Sequence, residues 1–124
     1  LNETWEMLRE LLTEKGMLIV AVPNCSSYDA GRYGEYWAAY DVPRHLWHFT
    51  PVTIQQLASR HGFIMAARHP MPFDAFYVSM LSEKHRGSSC SFLKGMYAGT
   101  LAWFSTLGRK ERSSSMIYVF RKKR

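Results

Sequence analysis

Two histidines three residues apart, His45 and His48, are the side chains of this sequence best suited to moving a proton near neutral pH. They sit in the segment DVPRHLWHF, residues 41–49. Arg44 adds a planar guanidinium that matches a phosphate or carboxylate, or pairs with Asp41 at the surface. A histidine in such a segment can equally hydrogen-bond a backbone carbonyl and fix the path of the loop. Asp41, His45 and His48 have tolerable spacing for a metal but follow no recognised zinc pattern. Tyr36, Trp37, Tyr40, Trp47 and Phe49 crowd the same stretch, as the walls of an apolar pocket or as core. Asn24 precedes them, placed either to hydrogen-bond a ligand or to shape a turn through its own side chain. Nothing beside the neighbouring Cys25 would lower its pKa and make it a nucleophile.

These residues need elements to position them. The apolar run Met17 to Val22 predicts a strand buried on both faces of a parallel sheet. It stops at Pro23-Asn24, and the aromatic loop begins where ligand crevices of open α/β sheets lie, outside the carboxyl end of a strand. Residues 2–14 predict a helix, with Trp5, Leu8 and Leu12 on one stripe, Glu3 and Glu6 near its positive end and Lys15-Gly16 as its stop. Thr50 and Pro51 predict the start of a second helix, with Ile54, Leu57 and Ala58 inward and Gly62-Phe63 at its end. Residues 64–69 and 115–120 are the other strand candidates. After Pro70 and Pro72 a helix is predicted with Phe73, Phe76, Tyr77, Met80 and Leu81 on its apolar face. The run 92–107 carries only Lys94 as a charge and is too short and glycine-broken to span a bilayer. It reads as a helix resting on a membrane interface or closing over a lipidic ligand, or as one packed on its neighbour through Gly95 and Gly99.

Val22-Pro23-Asn24 after an apolar strand, Trp37, Pro43-Arg44-His45-Leu46, Phe49-Thr50-Pro51, Leu57 and His61-Gly62-Phe63 follow one another in a familiar order. Together they resemble the second half of class I S-adenosylmethionine-dependent methyltransferases, nearest the group acting on small molecules, lipids and saccharides. The resemblance covers residues 1 to about 69, and the remainder loosely. It implies an α/β fold: a partial doubly wound, Rossmann-like sheet of strands at about 17–22, 64–69 and 115–120, the last antiparallel between the other two, with about four helices. No strand leads into a glycine-rich cofactor loop, and no acidic residue stands where the ribose would be held. The chain, 1–124, therefore reads as the C-terminal, substrate-side portion of such a domain, lacking the N-terminal cofactor-binding half and carrying a helical insertion at about 73–107.

The implied activity is methyl transfer from S-adenosylmethionine to a small or lipid- or saccharide-linked acceptor, as part of a longer enzyme, with this piece alone inactive and binding the cofactor weakly. His45 and His48 would be the catalytic residues, and Asn24, Tyr36, Trp37, Tyr40, Arg44, Trp47 and Phe49 the substrate-binding ones. The implied partners are the acceptor, the missing half and a second copy meeting the exposed strand 17–22. The alternative is a binding module that engages a membrane surface or a protein through helix 92–107 and the basic end of the chain.

A 47% hydrophobic, 15% aromatic composition rules out a disordered chain, and 124 residues suit one domain. The net charge of +6 is concentrated: seven of the sixteen basic residues lie within 109–124. No basic face continues into the body, which disfavours nucleic acid as a partner. Cys25 and Cys90 show no metal or redox spacing, so a cytoplasmic chain with free thiols is expected, associated with a membrane only on the alternative reading.

Overall fold

The computed structural model describes residues 1–123. Helix α1 (Asn2–Leu11) leads into strand β1 (Leu18–Pro23), followed by a short helix α2 (Tyr28–Tyr33) and two 3-10 turns at Gly34–Tyr36 and Ala38–Tyr40. Helix α3 (Pro51–Arg60) and strand β2 (Phe63–Met71) come next. Two antiparallel helices, α4 (Asp74–His85) and α5 (Ser91–Gly108), then precede the last strand, β3 (Ser115–Lys122).

The last strand lies antiparallel between the other two, as expected, but the sheet is not a doubly wound one. Its order is β1-β3-β2, and both hydrogen-bonded pairs are antiparallel. A doubly wound sheet hydrogen-bonds successive parallel strands joined by crossover helices. Here α3 connects β1 to β2, but β3 takes the place between them, so no parallel pair forms within the sheet. The Rossmann-like reading, the methyltransferase resemblance resting on it, and the picture of a cofactor-lacking half all fall with this topology. Over the described residues the protein is instead a small α/β domain with a three-stranded antiparallel sheet and five α-helices.

One face of the sheet is covered. Leu18, Val20 and Val22 of β1, Met116, Tyr118 and Phe120 of β3 and Phe63 and Met65 of β2 meet Trp5 of α1 and Ile54, Leu57 and Ala58 of α3. Trp5 packs edge-on against both Phe63 and Phe120, with ring centroids 5.5 and 5.6 Å away. Full burial stabilises each such apolar side chain by about 1.5–3 kcal/mol relative to exposure. The start of α3 is fixed by a reciprocal cap: the Thr53 amide donates to Thr50 Oγ1 at 3.1 Å, and the Thr50 amide to Thr53 Oγ1 at 2.8 Å. Gly62, at φ 75°, then turns the chain into β2.

A second core joins α2, the 3-10 turns and the α4–α5 hairpin through Ala30, Tyr33, Trp37, Ala38, Ala39, Val78 and Ala98. The two helices lie very close. A Cβ on Gly95 would stand 2.5 Å from Met80 Cα, and one on Gly99 2.7 Å from Phe76 Cα. Only glycine fits those two points of α5, and the residues that α4 buries are Ala75, Val78, Ser79, Ser82 and Glu83. Phe73 and Tyr77, expected on the buried face, are exposed.

Helix α5 uses Gly95, Ala98, Gly99, Ala102 and Thr106 as its buried stripe. Among the described residues no helix is long and apolar enough to cross a membrane. What corrects the alternative reading of helix 92–107 as the arm of a binding module is this packing: through its small residues the helix forms a hairpin with α4 inside the domain. Arg124, the last of the basic residues, lies outside the described residues.

Candidate functional site

The sheet ends, at Pro23 and its partner Ser115, beneath a cavity of about 360 Å³. Its floor is apolar, formed by Ala38 and Ala39 of the second 3-10 turn and Val78 and Leu81 of α4. Asp41, Arg44, His45 and Asp74 stand on its rim with Tyr77. A volume of this order suits a small ligand. A wider concavity of about 630 Å³, walled by Glu6, Arg9, Glu10, Arg60 and Lys122, lies between α1 and the end of α3. Its walls are long charged side chains with no apolar residue among them, so it is the poorer container.

The loop carrying Asp41 to His45 is held by its own backbone and by one imidazole. Asp41 takes a left-handed conformation, φ 41°, which aspartate tolerates better than most residues. Its carbonyl accepts from the His45 amide at 3.1 Å. The Nδ1 of His45 lies 3.2 Å from the carbonyl oxygen of Ala39. A carbonyl can only accept, so Nδ1 carries a proton, and in the neutral imidazole Nε2 is then the acceptor. His48 is the mirror case: its Nε2 donates to the Tyr40 carbonyl at 3.0 Å, and its ring meets Tyr40 edge-on with centroids 5.0 Å apart. His45 lines the cavity, and His48 braces the loop behind it. Arg44 pairs with Asp41 at 2.8 Å, but its side chain is 81% exposed, so the pair adds little stability and leaves the guanidinium free to turn to a ligand.

The other expected binding residues are dispersed. Trp37, 1% exposed, is part of the second core, and its indole donates to buried Asp29. Asn24 is equally buried: Nδ2 donates to the carbonyls of Glu111 and Ser113 at 2.7 and 2.9 Å, and Oδ1 accepts from the amide and hydroxyl of Ser26. It shapes the turn and ties it to the residues entering β3. Phe49 packs on the sheet core, Tyr40 on Trp37, and Trp47 and Tyr36 face solvent away from the cavity lining.

Asp74 went unnoticed in the sequence, and Tyr77, expected on the buried face of its helix, stands exposed at the rim. For Asp74 the only signal was an acidic residue in the first turn of a helix, which ordinarily serves the helix dipole. Burial pushes the Cys25 thiol above its ordinary pKa, consistent with an inert side chain. Among the described residues no cluster of three or more His, Cys, Asp or Glu could hold a metal. The expectation of S-adenosylmethionine as cofactor is withdrawn with the sheet. β1 runs into Pro23-Asn24 and an asparagine-shaped turn, not into a glycine-rich turn opening a helix, so the dinucleotide-type cradle has no counterpart here. With it go the methyltransferase activity and the part of His45 and His48 as its catalytic bases. No protein-family model matches the chain, and no curated protein matches it.

Proposed function

We propose that the domain binds a small hydroxyl-rich ligand, of the saccharide class, in the cavity at the end of β1. The observation that carries this reading is the joint presence of Asp41, His45 and Asp74 around one apolar floor. The two carboxylates are acceptors, as is Nε2 of His45 in its neutral form, and a hydroxyl-rich molecule supplies many donors. Arg44 adds donors for ring or hydroxyl oxygens. The ring of Tyr77, 63% exposed at the rim, offers an apolar face for the C–H face of a sugar.

The test is an amide and side-chain chemical-shift titration with a panel of mono- and disaccharides. Saturable shifts centred on Asp41, His45, Asp74 and Tyr77, lost in Tyr77→Ala and Asp74→Ala, are expected. Both substitutions are at the rim, so the fold survives them. A panel that leaves these signals unmoved would falsify the reading.

A further inference from the structure

We infer that the open edge of β1 is an interface for β1 of a second copy of this chain, paired antiparallel across a two-fold axis. The direction of its backbone groups supports this. The Asn24 amide donates to the Ser114 carbonyl at 2.8 Å, continuing the register in which Val22 faces Met116, Val20 faces Tyr118 and Leu18 faces Phe120. In an antiparallel ladder, alternate residues direct both backbone groups to the same neighbour. The even-numbered residues therefore bond β3, and Met17, Ile19 and Ala21 point their N–H and C=O groups to the other side. The Cys25 amide confirms this phase, since it donates outward to the Phe49 carbonyl at 3.0 Å. Phe49 thus fills the outer edge beyond β1, and the stretch 17–21 is left without a neighbouring strand.

The two sheet edges are treated differently. β2, at the far side, carries an irregularity between Met65 and Ala67, the exposed charge of Arg68, and Pro70. Bulges, charges and prolines are the usual guards against edge-to-edge pairing. β1 has none of them before Pro23: residues 16–22 contain no charge and no proline. Its outward side chains belong to the sheet's uncovered face, with Met17 52% and Ile19 64% exposed.

A second copy fits this edge in register. A two-fold axis at Ile19 sets Ile19 against its own counterpart and Met17 against Ala21, so every outward-facing residue meets another outward-facing one. Pro23, which lacks an N–H, falls outside that set. A closed two-fold dimer requires a self-complementary patch, and a charge-free strand with this phase is one. The uncovered apolar faces of the two sheets then become continuous.

The experiment is sedimentation velocity of the whole chain across the micromolar range, with Ile19→Lys and Ala21→Pro compared alongside. Neither substitution touches the ladder to β3: the Ile19 side chain is exposed, and the Ala21 N–H points outward. Circular dichroism checks each fold, and either variant suffices if the other unfolds. A wild-type dimer that the folded variant converts to monomer is the expected result. An Ile19→Cys chain should also oxidise to a dimer bridged at position 19, because paired Cα atoms about 5.5 Å apart lie within disulfide reach. A monomeric wild type would overturn the inference, as would a dimer that a folded edge variant leaves intact, which would move the contact to another surface such as the exposed side of α5.

Discussion

Trp37 and Asp29, both buried, are joined by an indole N–H that donates to Oδ2 of the carboxylate across 2.9 Å. The same oxygen accepts from the hydroxyl of Ser114 at 2.6 Å. One carboxylate thereby ties α2, the turn beneath the cavity and the residues entering β3. The floor residues Ala38 and Ala39 follow Trp37 directly, so their height under the rim depends on this bond.

Replacing Asp29 with Ala strands two buried donors at once. Each unsatisfied buried group costs about 1–3 kcal/mol, so Asp29→Ala should destabilise the domain by about 3 kcal/mol or more. Asp29→Asn keeps an acceptor oxygen and should cost less. Urea unfolding of the two variants and of Trp37→Phe, combined with Asp29→Ala as a double-mutant cycle, measures the coupling. A coupling near zero would show that the indole bond does not hold the turn.

The helical hairpin gives a paired test. Gly95→Ala sets a methyl group 2.5 Å from a backbone atom of α4, which cannot move aside as a flexible side chain would. A loss of about 1–3 kcal/mol is expected, read as a lower urea midpoint. Gly31 in α2 has nothing within 4 Å of the same added atom and no positive φ. Gly31→Ala should therefore be neutral or stabilising by up to about 1 kcal/mol. Equal effects at the two sites would contradict the close approach of α4 and α5.

The positions of the strands were readable from their apolar runs, and α3 from Thr50-Pro51 and Gly62. The antiparallel place of the last strand followed only from the resemblance, and the residues of β1 pointed instead to a parallel strand buried on both faces. In Leu18 to Val22 the covered and uncovered faces are both apolar, Ile19 and Ala21 being exposed, so the alternation that marks a half-covered antiparallel strand is hidden. The site was half legible. Arg44 and His45 stand in one short segment with visible chemistry, whereas Asp74 and Tyr77 reach the cavity through α4, which is tied to the turn where the Ala38 amide donates to Ser82 Oγ. Trp37 and Asn24 look like ligand contacts in sequence because polar or aromatic residues after a strand serve scaffold and site alike. Their near-complete burial decides for the scaffold.

Asn24 can be tested as that scaffold. Its amide group donates to two backbone carbonyls, so an aspartate of the same shape would turn acceptor oxygens on acceptors. Asn24→Asp should destabilise by about 3 kcal/mol at neutral pH, more than a lost hydrogen bond alone, because a buried charge faces two carbonyl dipoles. Protonation restores one donor, so stability relative to wild type should recover as the pH falls. Thermal melts of both proteins at neutral and mildly acidic pH would show it. A difference that stays constant with pH would mean that the residue's side chain meets solvent.

At the alkaline end, burial pushes the Tyr118 phenol from 10 up to about 12, the nearby Arg68 charge opposing the shift. The folded state thus holds its proton more tightly than the unfolded chain does. The stabilisation is complete below pH of about 10, where both states are protonated, and is lost progressively as the pH rises to about 12. A shift of that size corresponds to about 2–3 kcal/mol. Tyr33 acts in the same direction, raised by burial and by the charge of Glu83. Tyr118→Phe removes one of these linked protons without opening a large cavity. Its urea midpoint should consequently fall less steeply than that of wild type through this window, and the tyrosinate absorbance of the folded protein should lose a component that titrates late. Parallel midpoint curves for the two proteins would place the phenol in contact with water and contradict its burial beneath α1 and α3.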